Sequence, residues 1–178
     1  MLFIAAAGNS GRNTDSTIYY PQGYNSPAVI SVGASDQSGN KAGFSNYGAV
    51  SVDLAAPGVG IYSCIPGNSY ESLSGTSMAC PHVAGAVGLL YSLYPNATGT
   101  QIKNALINTC QAISAWSGKC VSGGIIDVKA AADSLAGSQP TPTPTHTPTG
   151  LPVTATPTPT KTPLATLTPT ASPGPTPT

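Results

Sequence analysis

Short uncharged apolar runs bounded by glycine, proline and asparagine alternate along this chain with apolar stretches of helical length. Residues 2–7 (LFIAAA) and 28–34 (AVISVGA) are continuous rather than alternating, the pattern of strands buried on both faces of a parallel sheet. Residues 49–56 predict a third strand, leading into Ala56-Pro57-Gly58. Residues 61–65 and 70–73 predict two short strands around Pro66-Gly67-Asn68, a hairpin-like turn. Residues 72–94, SLSGTSMACPHVAGAVGLLYSLY, carry no charge and turn apolar nearly all round, which predicts a buried helix. Pro81 sits close to its start, where a missing N–H costs little, and Tyr94-Pro95 ends it.

Beyond that helix the pattern weakens but stays legible. Residues 96–99 supply capping groups, and Ile102, Ala105, Leu106 and Thr109 recur at the spacing of an amphipathic helix over 101–110. Residues 123–127 form a short extended piece, after which Asp127 caps a last helix over 128–135. From Ser138 on, the chain is almost entirely threonine and proline and has nothing apolar to bury. The expected organisation is therefore one domain over 1–137 and a disordered Thr/Pro-rich linker or stalk over 138–178.

Six basic and six acidic side chains give a net charge of zero, and only 7% of residues are charged. That balance excludes a basic nucleic-acid surface and an acidic run for cationic partners. No apolar segment reaches the roughly 18 residues of a membrane span. The start, MLFIAAAG, lacks the basic region of a signal peptide and is cut short by Gly8-Asn9, so it reads as a strand and the chain as given carries no export signal.

The candidate chemistry lies at Ser77, in the first turn of the apolar helix and after a glycine that lets backbone approach a ligand. Helix N-terminal amides favour negative charge, as an oxyanion requires. Gly-Thr-Ser alone describes an ordinary turn before a core helix. The whole string from Gly75 to Gly85, GTSMACPHVAG, closely resembles the nucleophile motif of the subtilisin-like serine proteases, the subtilase family. The blocks AAAGN (Ala5 to Asn9), FSNYG (Phe44 to Gly48) and DLAAPG (Asp53 to Gly58) resemble the same family.

The resemblance implies an α/β fold of three layers with a mostly parallel sheet, here incomplete because only the C-terminal half of the domain is matched. It makes Ser77 the nucleophile and Asn9 a side-chain donor to the oxyanion, opposite the Ser77 amide. Ala6, Ala7 and Gly8 would form one wall of the substrate pocket. Ser74, Gly75, Thr76 and Met78 beside the nucleophile are also expected at the substrate. Asp53 is expected to be structural. So is His82: five residues beyond Ser77, at about 100° each, it points some 140° away from the serine, and it is read as a core histidine.

Many subtilases bind calcium near the stretch that residues 19–26 occupy. The loop here is longer and has no carboxylate, so no metal ligand is assigned, and a structural calcium is an expectation only for a complete domain. No cofactor is otherwise implied. Cys110 and Cys120 flank a short loop that a disulfide could close, while Cys64 and Cys80 are expected to be buried. A disulfide beside a Thr/Pro stalk points to an extracellular or cell-surface setting, as does the resemblance. Asn96-Ala97-Thr98 matches a glycosylation sequon, a pattern common by chance.

A serine nucleophile needs a base and an orienter of that base. The family order is Asp, His, Ser, and neither Asp-Thr-Gly nor His-Gly-Thr occurs here. The expected account is a serine endopeptidase acting on polypeptides through an acyl-enzyme on Ser77. The base would lie in an upstream half of the same domain, and the chain would be inactive alone, with Met1 a misassigned or artificial start. The alternative is a non-catalytic surface-attached binding or structural protein that keeps half of the fold. Two intact halves of an oxyanion site favour the peptidase.

Overall fold

A computed structural model of the chain describes residues 1–138; the Thr/Pro-rich segment, expected to be a linker, lies outside the described residues apart from Ser138. Five strands form one sheet in the order β1 (Phe3–Ala6), β2 (Val29–Ser35), β3 (Leu54–Pro57), β7 (Gly124–Ile125), β6 (Gln111–Ala112). The first four are parallel and β6 runs antiparallel to β7. Val32 stands opposite Leu54, and Ala55 opposite Ile125. Between β3 and β7, strands β4 (Ile61–Ile65) and β5 (Ser69–Leu73) make a separate antiparallel hairpin.

Three helices follow from the apolar pattern: α1 (Thr76–Leu93), α2 (Gly99–Asn108) and α3 (Val128–Ser138). α1 packs on β1, β2 and β3, and α2 packs on α3. The alternation along β2 divides the core. Ile30, Val32 and Ala34 join Leu54 and Ala56 against Ala79, Val83, Ala86 and Leu90 of α1. Ala55 faces the other way, into a smaller cluster of Ala7, Val52, Trp116 and Cys120. All of β2 is buried, which explains its unbroken apolar run. Trp116 ends a 3-10 turn (Ser114–Trp116) and lies against Gly33, where a Cβ would come within 2.7 Å of the indole ring.

Helix ends are capped as the sequence predicts. Thr98 and Gln101 form a reciprocal capping box at α2, and Asp127 Oδ1 accepts the Ala130 amide at 2.9 Å in the first turn of α3. Asp53 is structural: it pairs with Lys103 of α2 at 3.0 Å and accepts the Ser31 amide at 2.7 Å, tying β2 and the start of β3 to the helix layer.

Four expectations are corrected. The strand over 49–56 is only Leu54–Pro57. Residues before it turn around Asp15, whose carboxylate accepts the Val50 and Ser51 amides and the Ser51 hydroxyl. Burial would raise the Asp15 pKa, but these donors outweigh it and hold it low. α1 is not buried all round. Six of its residues face the core, while Leu89 and Leu93 are half exposed, because the sheet covers one side only. His82 is exposed rather than in the core, its Nδ1 hydrogen-bonded at 2.8 Å to the Met78 carbonyl one turn back.

The fourth concerns the cysteines, all four of which are free thiols. Cys110 donates to Leu106 O at 3.1 Å, whereas Cys120 reaches Gly124 O at 3.8 Å, so each sulfur has its own backbone partner. Cys64 lies exposed on β4, and Cys80, half-buried, donates to Ile4 O at 3.5 Å. Burial pushes the Cys110 thiol up to about 11, the Ser122 hydroxyl opposing this and the neighbouring Cys120 and Asp127 adding to it.

Two measurements test this packing. Gly33→Ala should destabilise the fold by about 1–3 kcal/mol in denaturant unfolding, because the buried indole has no room to yield; an unchanged midpoint would place Trp116 elsewhere. In mass-resolved alkylation with iodoacetamide at pH 8, Cys64 should react first. Cys110 should react only on unfolding, having about a hundredfold less thiolate than a thiol at the ordinary 9.0.

Candidate active site

The parallel strands end on one edge of the sheet, and the site is assembled there. β1 runs on through Ala7, whose amide donates to Val32 O at 2.9 Å, and then breaks at Gly8 with φ +100°. That conformation suits glycine, and the turn delivers Asn9 beyond the strand end. On the other side, Gly75 hangs from the β3–β4 connection through its amide to Gly58 O at 2.8 Å. Gly58 must itself lack a side chain, since a Cβ there would lie 2.8 Å from Gly75 O and 2.6 Å from Ala34 Cβ.

Thr76 joins the two arms. It is wholly buried; its amide and its hydroxyl both donate to Asn9 Oδ1, at 2.9 and 2.8 Å, and its hydroxyl accepts the Gly8 amide at 3.1 Å. A backbone N–H can only donate, so the Asn9 atom facing Thr76 must be the oxygen. The Asn9 amide nitrogen is thereby turned the other way. Ser77 is the second residue of α1, so its N–H has no acceptor within the helix and stands at the positive end of the helix dipole.

Both donors border one space. A Cβ on Gly75 would sit 3.3 Å from Asn9 Nδ2, 3.7 Å from Ser77 N and 3.6 Å from Met78 Sδ. Glycine leaves that space open to a small anionic atom, within reach of two N–H donors. Ser77 is exposed beside it. A groove of about 400 Å³ runs from Ser77 and Met78 past Pro81 and His82 to Leu73 and Glu71 of the hairpin.

The remaining expected residues fall around this centre in different ways. Ala6 ends β1, half-buried, and Gly8 is half-buried beside it. Ala7 is wholly buried, and Thr76 lies beneath Asn9 rather than on the surface. The Ser74 hydroxyl accepts the Gly60 amide at 2.9 Å, closing the open base of the β4–β5 hairpin. His82 is the only histidine among the described residues, and it forms no hydrogen bond to Ser77. Asn46 is a residue that sequence reasoning passes over; its only signal is its place in the Phe44 to Gly48 block, yet its side chain bonds the loop that carries Asn9.

Many subtilases hold a calcium near the stretch that residues 19–26 occupy. The carbonyls of Tyr19, Pro21, Tyr24 and Ser26 already accept hydrogen bonds from within the loop and the start of β2. The nearby carboxylates of Asp15 and Asp53 are engaged by Ser51 and by Lys103. Among the described residues no group of three or more His, Cys, Asp or Glu side chains is placed to hold a metal ion.

Comparison with known proteins agrees with this geometry. A family profile described as the subtilase family matches residues 1–143. Subtilisin DY of Bacillus licheniformis is 47% identical over 135 residues, covering 74% of this chain and 47% of that protein. Subtilisin Savinase of Lederbergia lenta is 45% identical over 131 residues, covering 74% and 46%. Among solved structures, the prenylagaramide maturation protease PagA superposes with a TM-score of 0.67 at 31% identity, over 76% of this chain and 50% of that one. The self-cleaved protease domain of PatA gives 0.64 at 33%, over 77% and 51%. The chain spans about half the length of the curated relatives it matches. Motif, sheet topology and paired donors converge with these matches, and the chain belongs to the subtilase family.

Proposed function

We propose that this chain supplies the nucleophile and the oxyanion site of a secreted serine endopeptidase of the subtilisin type, acting on polypeptides. The observation that carries the reading is the space at Gly75, bordered at once by Asn9 Nδ2 and Ser77 N. A binding protein has no use for two donors converging beside an exposed serine.

In the proposed reaction Ser77 Oγ attacks the carbonyl carbon of the scissile peptide and gives its proton to a base. The carbonyl oxygen becomes an oxyanion in the Gly75 space and is held by the Asn9 carboxamide and the Ser77 amide. Collapse expels the amine, which takes the proton from the base, and leaves an ester on Ser77. Water then hydrolyses the ester by the reverse proton route. His82 does not fill the role of base, since it stands some 140° around α1 from Ser77 and forms no hydrogen bond to it. The base and its orienting acid belong, on this reading, to the half of the relatives' length that this chain does not match, and that half is the partner the chain requires.

The first test is labelling with a serine-reactive fluorophosphonate. The 178 residues alone should stay unlabelled, because an alcohol without a base is a weak nucleophile near neutral pH. The protein extended to a complete domain should label, and Ser77→Ala should abolish it. Robust labelling of the short chain at Ser77 would show a base within these residues. No labelling of the extended protein would favour a non-catalytic surface protein.

The second concerns Asn9. In the extended protein Asn9→Ala should lower kcat by about 10²–10³ with little change in KM, a magnitude carried over from the corresponding donor in a subtilisin. Unchanged turnover would reduce Asn9 to a turn residue.

A further inference from the structure

Asn46 is 3% exposed and touches no groove, yet every polar atom of its side chain is engaged by one loop. Nδ2 donates to Ala7 O at 2.8 Å, while Oδ1 accepts the amides of Ser10 at 3.1 Å and Arg12 at 3.0 Å. Its own backbone amide donates to Gly8 O at 2.9 Å. These four bonds bracket Asn9, two on the residues before it and two on those after, and none falls on Asn9 itself. The steric relation is as close as the polar one. A Cβ on Gly8 would lie 2.5 Å from Asn46 Nδ2, so the turn and the carboxamide fit only together.

The loop presents one acceptor and two donors to the same side chain. A carboxamide answers both kinds from two separate atoms; a carboxylate has no hydrogen to donate to Ala7 O, and a hydroxyl would have to meet all three partners from a single oxygen. Gln22, the other carboxamide nearby, reaches Ala7 O only at 3.5 Å and is no substitute. Asn46 is in turn fixed to the sheet. Its carbonyl accepts from Ser45 Oγ at 2.9 Å, and that wholly buried hydroxyl accepts the Ala34 amide of β2 at 2.9 Å. A continuous chain of hydrogen bonds therefore runs from β2 through Ser45 and Asn46 to the loop of Asn9.

We propose that Asn46 is a positioning residue of the oxyanion site. It sets where the Asn9 backbone stands, and Thr76 then sets which way the Asn9 carboxamide faces. The proposal rests on the reading of Asn9 as an oxyanion donor, and its two tests separate the claims. The physical claim is checked in the full chain by hydrogen exchange, with no need for activity. Asn46→Ala should speed exchange of the Thr76 amide, which is bonded to Asn9 Oδ1, by about tenfold or more. The Thr109 amide, bonded to Ala105 O in α2, serves as the control and should change little. An equal rise at both amides, or none at Thr76, would overturn the proposal.

The catalytic claim is checked in the protein extended to a complete domain. Asn46→Ala should lower kcat roughly 10- to 100-fold with KM nearly constant, as a misplaced donor does. In an Asn9→Ala background it should cause almost no further loss, because its effect passes through Asn9. Losses that multiply in the double variant would overturn the positioning role. Should Asn46→Ala fail to fold, Asn46→Asp keeps the volume and both acceptors while removing the donor to Ala7 O, and the same two comparisons decide. An extended wild-type protein without peptidase activity would defeat the oxyanion reading, and the exchange result would still decide whether Asn46 fixes Asn9.

Discussion

One carboxamide oxygen holds the candidate site together. Asn9 Oδ1 takes both the amide and the hydroxyl of Thr76, joining positions 67 residues apart in the chain. A helix must dispose of its first amides, and one buried without a partner would cost about 1–3 kcal/mol. Here that requirement is met by a side chain from another element, and meeting it has a chemical consequence. The oxygen is drawn inward, so the nitrogen is left pointing at the space beside Ser77. Stability and orientation are thus consequences of one bond pair.

That bond pair can exist only because the fold brings two strand ends and a helix start to one edge. β1, β2 and β3 are parallel, so their carboxyl ends lie together, and α1 begins beside them after the β4–β5 excursion. The close approach depends on missing side chains. Gly58 lets the Gly75 carbonyl come down onto the β3 end, Gly8 admits Asn46, and Gly75 leaves the space itself. On the opposite face Gly33 admits Trp116. The two faces of β2 are therefore filled differently, by aliphatic side chains of α1 and by one indole, and the strand carries an apolar run with a glycine in it.

Much of this was legible in the sequence, for reasons that differ by element. β2 was plain because a strand buried on both faces shows an unbroken apolar run, and the hairpin because Pro66-Gly67-Asn68 is strong turn chemistry. α1 and the place of Ser77 at its start followed from the glycine before it and the uncharged run after it. What was illegible depends on long-range polar contacts. The residues before Leu54 read as strand by composition, but the Asp15 carboxylate turns them through bonds spanning 35 and 36 positions. Asn46 looked like a loop asparagine, since its partners lie 34 to 39 positions away. Nine residues between Cys110 and Cys120 allowed a bridge on spacing alone, yet each thiol faces a different carbonyl. His82 was placed in the core because it points away from Ser77 and the resemblance makes it structural, yet it lies exposed on a helix that the sheet covers on one side only.

That last misreading bears on function. At about 100° per residue, the buried positions of α1, Thr76, Ala79, Val83, Ala86, Val87 and Leu90, fall within an arc of roughly 100°. Ser77, His82, Leu89 and Leu93 all lie outside it and are exposed. β1 is also the outer strand of the sheet, with Phe3 half exposed on it. A lone apolar helix face and an unpaired strand edge are both surfaces that soluble proteins usually cover. At the same rate of about 100° per residue, Leu89, His82 and Leu93 lie some 120–160° around α1 from Ser77. Ser77 and the exposed leucines therefore stand on different faces of one helix. On the proposed reading, the cover has two parts: one beside Ser77, where a base would be held, and one over Leu89 and Leu93. The half of the relatives' length that this chain does not match is large enough to supply both.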